Sequence, residues 1–112
     1  MTVPGTETDT MSNRRRLPNR REHELIDFEH VGIRYTAGIG RFKDDALAEI
    51  FLNTGKHGTA VDTNARDAAV AASLLLQHGC AVDTLRRALT RNGDGSPSGP
   101  LARVLDLFSG GI

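Results

Sequence analysis

Between Gly55 and Gly58 a lysine and a histidine stand side by side, after an apolar run and before a helical pattern. That is the order of a phosphate-binding loop, in which glycine amides and a lysine ammonium converge on an anion. The chemistry asks for more than order. A glycine must stand five residues before Gly55, where this chain has Ile50, and a hydroxyl must follow the lysine, where it has His57. The segment Gly55-Lys56-His57-Gly58 therefore reads as a hinge whose glycines allow a sharp turn from strand to helix. Lys56 keeps only the standing of a weak anion site near a helix N-terminus.

The other reactive side chains are scattered. His23, His30, His57 and His78 never fall at the i, i+4 spacing that places two ligands on one helical face. His30 is expected at a strand end and His78 at a helix C-terminus, where a partly charged imidazole meets the dipole favourably. Cys80, the only cysteine, rules out an internal disulfide and a cysteine-based zinc cluster. It also follows a helix C-terminus, the wrong end to stabilise a thiolate. Ser73 falls in mid-helix with no His-Asp pair near it in sequence, and "NGDGSPSG" lacks the regular acid spacing of a calcium loop. The reading is a non-enzyme: no catalytic, cofactor-binding or metal-ligating residue is expected, and no cofactor.

Charge offers a different chemistry. The run "RRRLPNRR" holds five arginines, Arg14, Arg15, Arg16, Arg20 and Arg21, in a chain whose net charge is zero. Such a run can neutralise phosphates and give salt-sensitive nucleic-acid binding. One tyrosine, four phenylalanines and no tryptophan leave few platforms on which bases could stack. A solvated basic tail, or one that touches an acidic protein partner, is the alternative.

These residues need a scaffold, and 112 residues allow one domain. Residues 1 to 20 are polar and threonine-rich or arginine-rich and read as a disordered basic tail. Residues 21 to 112 carry the fold. "ELIDFEH" alternates, with Ile26 and Phe28 on its apolar face, and Val31-Gly32 marks a turn. "IRYTAGIGRF" follows with Ile33, Tyr35, Ala37, Ile39 and Arg41 on one side. Its Gly38 and Gly40 point to a bulge or a close backbone approach. "KDDA" supplies a second turn and "LAEIFLN" the third strand. The period then becomes helical. Asp62 or Thr63 is expected as N-cap, and Ala65, Ala69, Ala72 and Leu76 as the buried stripe against Ile50 and Leu52 or Phe51, with Val70, Leu74 and Leu75 widening it. Gly79 ends that helix, Asp83 caps a short "TLRRALTR" helix, and Pro100 opens "PLARVLDLF". The expected class is α+β: a three-stranded antiparallel meander followed by three helices packed on one face. No apolar run approaches a membrane span, so a cytoplasmic protein with no membrane contact is expected, its oligomeric state open.

Three blocks, "GRFKDDALAEIFLNTGKHG", "DAAVAASLLLQHGCAVDTLRRAL" and "GPL", resemble one family. It is the TSCPD domain, a small module near the C-terminus of vitamin B12-dependent (class II) ribonucleotide reductases. The matching residues are Gly40, Glu49, Ile50, Phe51, Lys56, Gly58, Ser73, Leu74, Leu76, Gln77 and Gly79. The likeness runs from about residue 32 to 108. Departures are Asp45 and Ala48 where glycines are usual, and Cys80-Ala81 in place of valine-proline. A radical reductase needs several thiols, and one cysteine does not supply them. The resemblance thus implies a stand-alone, non-catalytic accessory or interaction module linked to deoxyribonucleotide synthesis. Its implied partner is a protein, a ribonucleotide reductase foremost. The alternative is a small nucleic-acid-binding or phage-type regulatory protein that uses the arginine tail.

Overall fold

The computed structural model describes residues 8, 9, 14, 15, 17 and 23–108. Two short strands, β1 (Thr8–Asp9) and β2 (Arg14–Arg15), pair antiparallel. The main sheet is the expected meander of β3 (His23–His30), β4 (Ile33–Arg41) and β5 (Leu47–Asn53), in that spatial order. The β3–β4 connection is a two-residue turn with both central residues at positive φ, Val31 at 50° and Gly32 at 77°. This backbone matches the twist of a hairpin and favours Asn-Gly; a β-branched valine there is strained. At the other end, Phe42 accepts from the Asp45 amide while Asp45 sits at φ 71°. The result is a three-residue loop in which an aspartate holds the left-handed position usually given to glycine. The ladder shifts register between Gly40 and Arg41, a bulge next to one of the two strand glycines.

Helix α1 (Ala60–Gln77) lies against β5, and α2 (Val82–Ala88) and α3 (Pro100–Phe108) complete the same side. The alanine stripe is as expected: Ala65, Ala69, Ala72 and Leu76 are all buried. Small side chains let the helix approach the sheet closely. Ile50 and Leu52 face it while Phe51 faces away, which settles the face of β5. Ala37, Ile39, Val104 and Leu105 are fully enclosed; burying each of the larger three contributes about 1.5–3 kcal/mol before entropy is counted. The class is α+β.

Two helix starts differ from expectation. α1 begins at Ala60, a turn before Thr63, because Thr59 is the cap and its hydroxyl accepts from the Asp62 amide at 3.2 Å. Asp83 does not cap α2. Ala81 occupies that position without a side-chain bond, and Asp83 pairs instead with Arg86 within the first turn. α2 also ends earlier, at Ala88. The following chain is drawn onto α3, where Arg91 binds both carboxylate oxygens of Asp106 at 2.7 and 2.9 Å and donates to the Arg86 carbonyl. Gly79, at φ 100°, closes α1 as expected, with Cys80 N donating to Leu75 O and Gly79 N to Leu76 O.

Most of the expected disordered tail lies outside the described residues, Arg16, Arg20 and Arg21 among them. Where it is described it touches the globule. Arg15 stacks over the Phe42 ring at 3.8 Å and pairs with Asp44 at 3.2 Å, and Arg14 donates to the Gln77 side-chain carbonyl.

Candidate functional site

The Gly55–Gly58 loop is held by its own threonines. Thr54 Oγ1 accepts from the Lys56 amide at 3.1 Å, and Thr59 Oγ1 donates to the Lys56 carbonyl at 2.9 Å. Gly55 and Gly58 sit at φ 79° and 84°, so the glycines serve the turn itself. Asp62, expected as a cap, has another task. It is 1 % exposed and accepts from the Thr54 amide (2.8 Å), the Thr54 hydroxyl (3.0 Å) and Arg66 Nε (2.7 Å). The Thr54 amide above all, then Arg66, holds its carboxyl down at about 2. Asp62 thus ties the end of β5 to the first turn of α1. The sequence carried a signal for this start: Thr59-x-x-Asp62 has the spacing of a capping box, with the acid turned inward.

Lys56 is exposed and lines a cleft of about 400 Å³ with Arg34, Thr54, Thr59 and the Val31–Gly32 turn's Gly32. No carboxylate among the described residues lines it, and the fold adds a second cation, Arg34, that sequence spacing did not connect with Lys56. The amide groups of the helix start are partly engaged, the Asp62 amide by Thr59. The cleft is a cationic surface. Of the arginine run, Arg14 and Arg15 sit elsewhere on the globule, near the α1 C-terminus and the β4–β5 turn, and Arg16, Arg20 and Arg21 lie outside the described residues.

The other expected residues are structural in their geometry. Ser73 lies beside the edge of β5, accepting from the Ile50 amide at 2.8 Å, with its hydroxyl in reach of the Ile50 and Ala69 carbonyls. Gln77 donates to the Ala48 carbonyl at 3.0 Å. With Asp62, these side chains of α1 satisfy main-chain groups that an edge strand would otherwise present to another chain. His30 Nε2 lies 3.0 Å from the Ser98 carbonyl, and His78 Nδ1 lies 2.8 Å from the Leu74 carbonyl. Among the described residues no three His, Cys, Asp or Glu side chains converge as a metal site would need.

What the fold leaves outside is apolar. Val70, Leu74 and Leu75 line the outer face of α1, and all three are exposed. Phe51 on β5 is also exposed, and a groove between the strand and the helix runs from Phe51 to Val70, with Arg66 beside it. Sequence reasoning assigned Val70, Leu74 and Leu75 to a wider buried stripe. The structure turns them outward, because the sheet takes the opposite face of α1 and α3 lies along Val61, Ala65 and Ala68, leaving their side uncovered. No helix among the described residues is long and apolar enough to cross a membrane. No protein-family model, curated protein or solved structure matches this chain, so the resemblance to the TSCPD domain rests on the residues quoted for it.

Proposed function

We propose that this domain is a non-catalytic, cytoplasmic interaction module, as its resemblance to the TSCPD domain implies, and that it docks on a protein partner through the outer face of α1. The observation that carries the reading is the exposed row Val70, Leu74 and Leu75, continued across the groove by Phe51. Scattered surface leucines need no explanation, but Val70 and Leu74 stack one turn apart, with Leu75 on the adjacent flank and Phe51 across the groove, on a helix whose inner face is already packed. The reactive side chains support binding over reaction, since Ser73 is engaged with the backbone of Ile50 and Ala69. Arg66 and Asp67 border the row and would set orientation at a polar rim.

The partner that the resemblance names is a class II ribonucleotide reductase. Mixing the purified proteins and measuring mass by sedimentation should give a complex. Val70→Glu or Leu74→Glu should abolish it while the thermal melt of the domain holds, because both positions face solvent. Absence of a complex, or one indifferent to both substitutions, would overturn the reading. Self-association through the same face would replace it with a homo-oligomer.

A further inference from the structure

A second region of the molecule answers to a different kind of ligand. Between α1 and the start of α3 lies a crevice of about 400 Å³, independent of the docking face proposed above. Its volume is that of a small-molecule pocket. Val61, Ala65 and Ala68 form one wall and Leu89 and Pro100 the other, and no charged side chain among the described residues lines it.

Three features give this crevice a polar end. Tyr35 rises from β4 into its lining, is only 5 % exposed, and its hydroxyl bonds to no described residue. The ring is enclosed, while the hydroxyl reaches the open space of the crevice, where water or a ligand can take its hydrogen bond. Second, α3 opens into the same crevice. Its first internal bond runs from the Arg103 amide to the Gly99 carbonyl, and the Leu101 and Ala102 amides, both lining the crevice, donate to no described residue. Third, α3 has no acid in its first turn to occupy its positive end.

The geometry points to a binding site for a small monocarboxylate with an aliphatic or aromatic body, its carboxylate set between the Tyr35 hydroxyl and the amides of Leu101 and Ala102. The Tyr35 hydroxyl and the two amides can donate, as can Asn64 and Thr90, which also line the crevice, and a carboxylate is an acceptor with no proton to give. Burial raises the Tyr35 phenol above its ordinary value, so it stays protonated and able to donate. With no lysine or arginine among the described residues of the lining, a phosphate dianion would find too little positive charge. A single negative charge suits the half-charge of a helix end. The apolar walls take the body.

Octanoate and octanamide share a chain and differ in the head group. Titrating each into the 15N-labelled full chain should give saturable shifts with octanoate at the Leu101 and Ala102 amides and around Tyr35. Octanamide should bind at least about tenfold more weakly, as should octanoate to Tyr35→Phe, the loss expected for a hydrogen bond to a charged group. Ala68→Leu fills the crevice without touching a donor and should abolish the shifts while the rest of the spectrum holds. The proposal is overturned if octanoate gives no saturable shift at millimolar concentration, if octanamide matches it, or if neither substitution weakens it.

Discussion

The two faces of the central sheet are built by opposite rules. On the covered face, Tyr35, Ala37, Ile39, Ile50 and Leu52 interlock with the alanine stripe of α1 and are all buried. On the open face the middle strand presents Arg34 and Thr36 toward one end and glycines, Gly38 and Gly40, toward the other, and longer side chains from the outer strands lie across the glycines. Leu25, 75 % exposed, and Phe51, 48 % exposed, flank Gly38, while His23 reaches over Gly40 to Glu49 at 3.1 Å. His23 also meets the edge of the Phe51 ring at 5.6 Å. One face is held by volume filled between layers. The other is held by side chains lying flat on a floor kept low for them. The lesson is that a glycine in a strand interior can be a packing residue, its missing Cβ being the space a neighbour occupies.

Substitutions can test how far that contrast goes. Ile39→Ala, on the covered face, should cost about 2–5 kcal/mol in urea melts, since the site is closed and has no solvent to relax into. A loss near zero would mean the layer between sheet and α1 is not the core. On the open face, a Cβ at Gly40 would stand 2.7 Å from Glu49 Oε1 and 2.9 Å from its Cγ. Gly40→Ala must therefore displace a buried carboxylate side chain and its histidine, at about 1–3 kcal/mol by analogy with overpacking. Equal stability would show that Glu49 moves aside freely.

Asp62 gives the covered side a pH signature. Its folded carboxyl is depressed to about 2 from an ordinary 3.8, so the stability it contributes is complete above the unfolded value. That contribution drains away as pH falls from about 4 through about 2. Urea midpoints should drop over that window, and Asp62→Asn should remove part of the slope while lowering stability at neutral pH. An unchanged acid limb would locate the effect in other carboxyls, such as Asp106 beside Arg91. The smallest effect belongs to Gly38→Ala. There the Cβ would meet Leu25 Cδ2 at 2.8 Å, the far end of an exposed and flexible side chain. Stability should stay within about 0.5 kcal/mol, the usual range for surface changes. A loss as large as that at Gly40 would show that Leu25 is pinned in place.

Much of this architecture was legible because it follows from period. Alternation in "ELIDFEH" and "IRYTAGIGRF" fixes which residues share a face of a strand, and Ala65, Ala69, Ala72 and Leu76 recur at helical spacing. Gly79 marks the helix end because a left-handed residue is needed there. These are properties of neighbours a few residues apart, which one sequence records in full.

What the tertiary structure decided depends on groups distant in sequence. Phe51 and Leu52 are adjacent and both apolar, and only the position of α1 determines which one is buried. Asp62 could cap its own helix in any isolated peptide; it is drawn inward because the folded chain places the Thr54 amide in reach of its carboxylate. Arg34 and Lys56 line one cleft, and Tyr35 and the first turn of α3 line another, although no spacing rule connects them. The physical reason is common to all of them. Periodicity sets which side of an element is apolar, whereas the fate of a particular hydroxyl, carboxylate or ring is fixed by what another element brings against it.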